Sequence, residues 1–444
     1  MSEHVLEGIG HVDVLVVDWH GCLRGKRVPA AQYAKIERGE TRLPLSTQAQ
    51  DIGNDDRDEL TGLGLSIGDP DGSCLIEPRT LVRQPWDPAG SQVLASVHDE
   101  SGAPSTFDSR GVLARQVARF AERGWRAVVA VELEFYLLDE STRTSGRPAT
   151  PERLRVAGAH RDVQLCEPRA ADRVEGVLAR IRDYAHALGV PAETALAEIG
   201  PGQFEINLAH RDDPVRAADE AVLFRRAVDR AAFDEGLLAT FMAKPYTAHS
   251  GSGQHVHVSV IDEAGKNVLD AGEGEPVRLS HAVAGLLDTL DEVQLLLAPN
   301  GNSYRRLLPD SFAPCRVDWG LDHRGVAIRL PETRGGAARL EHRVAGADAN
   351  PYLVLAAVLG GVLEGLDAGR EPTTPPLAPG ETPSARYLTH DWLNAIERAS
   401  SSAFLEALLG ERFLRAYTAV KRHEALDFNR QVTETDWQAC LARV

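Results

Sequence analysis

The chain has 444 residues, of which 43% are hydrophobic and 25% charged, and a formal net charge of −17. That length exceeds the roughly 250 to 300 residues at which a single core stops growing, so two domains, or one large domain with a smaller appendage, are expected. The negative balance argues against nucleic acid or an anionic membrane as partner and weakly favours cationic ligands or divalent metal. With no uninterrupted apolar run of roughly 18 to 20 residues and no basic secretory start, a cytoplasmic protein is expected.

The first hundred residues read as short strands and loops, "VDVLVVDW" (12–19), "SCLIEP" (73–78) and "SQVLASV" (91–97), with a polar run from Gln50 between the first two. A small, mostly β domain is expected there. In "FDSRGVLARQVARFAERG", Asp108 or Ser109 can cap a helix whose apolar stripe is Leu113, Val117 and Phe120 and which Gly124 ends. Strands then alternate with helical stretches: a strand from Arg126, a helix near 172–188, strands on either side of Gly200, and a helix near 214–235. Strands at 238–242 and 253–260 follow, then a helix near 278–297 and strands through 316–344. The proline-rich segment 371–384 is a loop, and C-terminal helices follow it. The five cysteines, Cys22, Cys74, Cys166, Cys315 and Cys440, have no paired spacing and point to neither disulfides nor a zinc cluster.

Charge recurs on strands whose other face is apolar. In "HVHV" the period of two puts His255 and His257 on one face and Val256 and Val258 on the other, and "VELEF" does the same with Glu132 and Glu134. Two like charges on a buried strand repel each other and lose hydration, so either a cation neutralises them or that face is open to water. "AEIGPGQFEINL" sets Glu198 and Glu205 around a Gly-Pro-Gly turn, although the loop register, and hence a shared face, is not readable. "AARLEHRVAG" places Arg339, Glu341 and Arg343 on one strand face. Arg306 lies upstream in "NSYRRL", and Arg324 and Arg329 lie in "DHRGVAIRLP" on segments that also look like strands. Oxygen-rich ligation with imidazole suits Mg²⁺ or Mn²⁺ better than zinc, and metal beside arginines describes a site for several phosphates. No P-loop and no G-x-G-x-x-G after a strand is present, so metal and arginine would hold the phosphates.

Five motifs in order, E-x-E, E-I-G-P-G-Q-x-E, G-S-G-x-H-x-H, N-S-Y-R-R-L and R-x-E-x-R followed by "NPY", make nearly the whole chain resemble the glutamine synthetase family. The resemblance implies an α+β fold with a small N-terminal β-grasp domain (1–103) and a larger C-terminal catalytic domain (104–444) whose antiparallel sheet forms an active-site funnel. It also implies two divalent cations, Mg²⁺ or Mn²⁺, one on Glu134, Glu198 and Glu205 and one on Glu132, His255 and Glu341. His257 would face the phosphates of ATP, with Ser259 and Arg339 nearby. Arg306 and Arg343 would hold the carboxylates of glutamate, helped by the backbone at Gly251, and Arg324 and Arg329 would neutralise the transferring phosphoryl group. The implied assembly is a dodecamer of two stacked six-membered rings with sites between subunits.

The chain departs from the family pattern at the acceptor. Ammonia-using members carry a flap glutamate six residues beyond the arginine matching Arg306, and that place is Phe312 here. Ser250 stands for the usual Asn, Leu196 and Ala197 stand for a common His-His, and no tyrosine-bearing adenylylation segment is recognisable. An apolar flap loses an ammonium contact and adds a surface for an alkyl group. The chain thus looks closer to the γ-glutamyl amine ligases, of which γ-glutamylputrescine synthetases are an example. The expected reaction joins the γ-carboxylate of glutamate to a small primary amine through a γ-glutamyl phosphate. Asp51, matching an aspartate contributed by a neighbouring subunit, and Glu198 are candidates to take the amine proton; a loop carboxylate capping a turn is the other reading of Asp51. An ammonia-using glutamine synthetase and a non-catalytic binding oligomer remain the alternatives, and which amine is used is not legible.

Overall fold

The structure is a computed structural model that describes residues 5–155, 163–274, 277–381 and 383–442. Strands β1 (His11–Val17), β2 (Leu23–Pro29), β3 (Arg42–Pro44), β4 (Asp71–Ile76), β5 (Val82–Arg83) and β6 (Gly90–His98) form one sheet in the order β2-β1-β6-β4-β3, with β5 beside β6. The apolar run of β1 is buried on both faces. Val12, Val14 and Val16 pack with Ile36, Cys74 and Val93 in a small core, while Leu15 and Val17 point the other way into the main core, as a period of two requires. Just beyond β1, Trp19 packs edge-on against Phe107 and against Phe413 and Tyr417 of the C-terminal region. The small sheet is therefore fastened to the body of the molecule through its second face.

The second sheet comprises β7 (Trp125–Asp139), β8 (Ala192–Ala197), β9 (Gln203–Leu208), β10 (Leu237–Thr240), β11 (Gln254–Asp262), β12 (Trp319–Leu321), β13 (Ile328–Glu332) and β14 (Arg339–His342). Its order is β12-β13-β14-β11-β7-β9-β8, with β10 paired to the end of β7, and all pairs are antiparallel except β12 with β13. Helices α1 (Ser109–Ala121), α2 (Glu175–Ala187), α3 (Pro214–Asp234), α4 (Val277–Leu297) and α5 (Pro351–Ala368) supply the rest of the core. Val129, Val131, Leu133, Phe135, Val256 and Val258 are fully buried in it. Each such side chain contributes about 1.5–3 kcal/mol relative to exposure. Asp108 caps α1 by accepting from Arg110 N. α5 has the length and apolarity of a membrane span, but 78% of it is buried inside the protein, so it is a core helix. The C-terminal helices are α6 (Trp392–Ser400), α7 (Ala403–Leu409), α8 (Glu411–Asn429) and α9 (Glu434–Cys440).

The elements expected from sequence are present, with two differences. The polar run from Gln50 contains a short helical turn, Asp58–Thr61, whose Thr61 hydroxyl bonds back to the Arg57 carbonyl. Arg324, expected on a strand-like segment, lies in the loop between β12 and β13, because residues 322–327 carry the chain back to the start of β12, where β13 sets out parallel to it. The described cysteines are all free.

Candidate active site

Register alone gathers the acids. Residues directly opposite in an antiparallel pair share a face. His255 lies opposite Glu132, Glu134 opposite Glu205, and His257 opposite Glu341. The valines and leucines between them point into the core. Glu198 follows β8, and the Gly-Pro-Gly turn folds the hairpin so that Glu198 N donates to Gln203 O at 2.9 Å. This settles the face-sharing that sequence left open: ligand atoms of Glu134, Glu198 and Glu205 all lie within 4.8 Å of one another. Two further sets meet the same criterion, Glu132 with Glu205 and His255, and Glu132 with His257 and Glu341. His255 Nδ1 also stands 3.4 Å from Glu132 and 4.0 Å from Glu341. Glu132 and Glu205 each belong to two sets, so the three run together.

The electrostatics of this cluster call for positive charge. Burial, followed by the neighbouring carboxylates Glu132, Glu134 and Glu198, pushes Glu205 up to about 9. Burial and Glu198 likewise raise Glu134. Glu132 is the exception: burial opposes ionisation, but hydrogen bonds from His255 and His257 hold it well below the usual carboxylate range. His257 Nε2 meets Glu132 at 3.0 Å. Burial, with Arg343 nearby, lowers His255 to about 4, which keeps its imidazole neutral and its lone pair available. Buried carboxylates with neutral imidazole, three at a time within ligand reach, fit hard divalent cations.

The arginines surround one end. Arg329 Nη1 donates to Glu341 at 2.6 Å, and Arg343 Nη1 donates to the other oxygen of the same carboxylate. Arg329 also pairs with Asp322. Arg306, at the end of the short helix Ser303–Arg306, is buried and held by the Val344 and Arg343 carbonyls rather than by an acid. Its guanidinium lies against the turn before β11, where only glycine fits. A Cβ on Gly251 would stand 2.4 Å from Ala243 O, and one on Gly253 would stand 2.7 Å from both Arg306 Nη2 and His255 Nε2. Ser259, on the face of His255 and His257, donates to Ala338 O at 2.9 Å, and Arg339 is partly exposed at the start of β14.

Two residues stand apart from the cluster in the single chain. Asp51 is buried and caps its own turn, accepting from Gly53 N and Asp55 N, and it pairs with Arg57 at 2.6 Å. Phe312 is 74% exposed with a left-handed φ of 65°, on the loop beyond Arg306. A further side chain of the site, Gln203, lies inside the E-I-G-P-G-Q-x-E motif but is not among the residues that the sequence singles out. Gln203 is fully buried and donates to Glu134 Oε2 at 2.9 Å and to Gly251 O at 3.0 Å, while its oxygen accepts from Gly200 N and the Ser250 hydroxyl. It locks the acid hairpin to the glycine turn. The signal available beforehand was an amide beside a turn, at a strand position that buries its neighbours.

This arrangement is a sheet face of carboxylates and imidazoles, beside arginines, whose ligand atoms lie close enough to hold metal ions. The family model "Glutamine synthetase, catalytic domain" matches residues 106–440. The γ-glutamylputrescine synthetase PuuA of Escherichia coli (strain K12) is 40% identical over 435 residues, covering 96% of this chain and 90% of that protein. The glutamate–isopropylamine ligase of a Pseudomonas species is 32% identical, covering 96% and 93%. Among solved structures, "GmaS/ADP complex-Conformation 1" superposes with a TM-score of 0.86 at 27% identity, covering 99% of this chain and 98% of that one. The chain belongs to the glutamine synthetase family.

Proposed function

We propose that the protein is an ATP-dependent ligase that joins the γ-carboxylate of glutamate to a primary amine, and that the sheet face described above is its active site. The observation that carries this reading is the convergence of Glu132, Glu134, Glu198, Glu205, His255 and Glu341 beside Arg306, Arg329 and Arg343. The preference for an amine over ammonia rests on Phe312 in the flap position and on relatives named for putrescine and isopropylamine.

Glu134, Glu198 and Glu205 would hold one Mg²⁺ or Mn²⁺, and Glu132, His255 and Glu341 a second. These cations supply concentrated positive charge where negative oxygens must meet. The residues of the chain do the rest. Arg306 and Arg343 bind and orient glutamate through its carboxylates, with Gly251 leaving room for the substrate against its backbone. His257, Ser259 and Arg339 line the approach of ATP, and Arg324 and Arg329 face the phosphoryl group in transfer. A γ-carboxylate oxygen attacks the terminal phosphorus of ATP and ADP departs. The amine nitrogen then attacks the acyl carbon, phosphate leaves, and Glu198, or Asp51 of a neighbouring copy, takes the proton from nitrogen. This reading includes the β-grasp and funnel architecture, the division at residues 103/104, the homododecamer with sites between subunits and a cytoplasmic location. The test is steady-state phosphate release with glutamate, ATP and a panel of amines, with products identified by mass spectrometry. Ammonia outperforming every amine would reject the amine specificity.

A further inference from the structure

One group of buried charges has no part in the chemistry above. Lys421 of α8 is fully buried, its ammonium donating to Glu424 Oε2 at 2.9 Å and to His20 Nδ1 at 3.1 Å and lying over the Tyr417 ring. An ammonium only donates, so Nδ1 accepts and the imidazole proton sits on Nε2. That proton meets the Gln50 carbonyl at an Nε2–O distance of 3.1 Å, and Trp19 Nε1 donates to the same oxygen at 2.7 Å. Burial, followed by the Lys421 charge, holds His20 well below the usual imidazole range and keeps the ring neutral. The other oxygen of Glu424 accepts from Ile52 N at 2.8 Å.

Gln50 and Ile52 flank Asp51. The carbonyl before Asp51 and the amide after it are thus bound by side chains from the segment following β1 and from α8, the latter 372 residues away in the chain. The turn's own bonds, from Gly53 N, Asp55 N and Arg57 to the Asp51 carboxylate, set its shape but not its place on the molecule. Ile52 is 59% exposed, so the turn stands at the surface on a buried anchor. A buried ion pair often stabilises a fold no more than apolar residues of the same volume would. What apolar residues cannot do is accept from Ile52 N or donate to Gln50 O, and here the charged group does both.

We infer that His20, Lys421 and Glu424 are positioning residues for the acceptor step: they fix where the Asp51 turn stands, and hence whether its carboxylate reaches the amine. The inference rests on the ligase reading above, and within it on Asp51 of a neighbouring copy taking the amine proton. Lys421 neutralises Glu424 and fixes the His20 tautomer, while His20 and Glu424 hold the two backbone groups on either side of Asp51. None of the three belongs to the acid-bearing sheet face. A misplacement of about 1 Å can cost about 100-fold in rate, so a turn released at its base loses the acceptor step while the binding of glutamate and ATP stays.

Two double variants of the full-length protein test it, Lys421→Met with Glu424→Leu and Lys421→Met with Glu424→Gln, assayed with the panel amine that the parent turns over fastest. Both remove the ion pair, and only the second keeps an oxygen for Ile52 N. The Leu variant is expected to melt near the parent, to keep KM for glutamate and ATP within about twofold, and to lose about tenfold or more in kcat/KM for the amine. The Gln variant is expected to recover most of that loss. Added to Asp51→Asn, the Leu variant is expected to cost less than about twofold more, because it acts through Asp51, whereas a general loosening of the fold would cost as much with Asn as with Asp. If the Leu variant does not fold, His20→Leu against His20→Gln, which keeps a donor for Gln50 O, makes the same comparison. A loss spread equally over glutamate, ATP and amine, a Leu variant that turns over like the parent, a Gln variant no better than Leu, or Asp51→Asn as active as the parent would each overturn the inference and leave the ligase standing. A parent that releases no phosphate with any amine would overturn the ligase reading, and this inference with it.

Discussion

Glu205 shows at the scale of one residue what the cluster costs without cations. Its raised pKa means the folded protein binds its proton more tightly than the unfolded chain, whose glutamate titrates near about 4.3. The cation-free fold therefore loses stability as pH rises from about 4.5 toward about 9. Glu205→Gln removes this term: in EDTA its melting temperature is expected to match the parent near pH 4 and to exceed it increasingly toward pH 9. The same substitution is expected to erase most of the stabilisation that Mg²⁺ confers on the parent, which at a hundredfold excess over Kd amounts to about 2.7 kcal/mol. Differential scanning fluorimetry with EDTA and with Mg²⁺ reads both, and an unchanged Mg²⁺ shift would remove Glu205 from the ligand set. Gln203→Leu is a different kind of change, since it keeps volume but strands Gly200 N, Gly251 O and Glu134. A drop of roughly 10- to 100-fold in Mg²⁺ affinity is expected by titration calorimetry, the size seen when a partner that orients a ligand is lost.

At the scale of elements, the helix pair α4 and α5 and the flap loop make opposite demands. α4 and α5 touch through glycines: a Cβ on Gly365 would stand 2.0 Å from the His281 carbonyl, and one on Gly285 would stand 2.2 Å from the Gly361 carbonyl. Backbone cannot step aside as a side chain does. Gly365→Ala is expected to cost 3 kcal/mol or more, at or above the roughly 1–3 kcal/mol usual for overpacking, measured as a lowered denaturant midpoint. The flap loop holds Phe312 in solvent in a conformation that suits glycine or asparagine. On the proposed reading, Phe312→Glu puts a charge at the acceptor. Its ratio of ammonia-dependent to amine-dependent kcat/KM is expected to rise at least tenfold, and a ratio equal to the parent's would take Phe312 out of acceptor choice.

For the whole molecule, the C-terminal end is the part the single chain leaves unused. Residues 428–442 are all exposed, and the seven-residue α9, though closed by a Thr433–Asp436 capping box, buries nothing and presents Trp437 and, just beyond it, Leu441 to solvent. So short a helix is marginal by itself, and exposed apolar side chains of this kind are what the proposed assembly of subunits would cover. Deleting the residues after Arg430 is expected to shift the assembly to fewer subunits in sedimentation, with the secondary structure of the remainder unchanged by circular dichroism.

Local chemistry was legible in the chain before any fold. The period of two placed His255 with His257 and Glu132 with Glu134, the pair Asp108 and Ser109 announced the start of α1, and the Gly-Pro-Gly turn announced the β8–β9 hairpin, because each depends only on residues a few positions apart. What the tertiary structure alone decided was pairing over distance: Glu134 opposite Glu205, His257 opposite Glu341, Gln203 bound to the glycine turn, Arg324 in a loop rather than a strand, and Ile52, beside Asp51, bound to Glu424 of α8. Those depend on strand register and on the approach of segments up to hundreds of residues apart, and a one-residue slip in register, which no local pattern forbids by itself, would have turned every one of these carboxylates into the core.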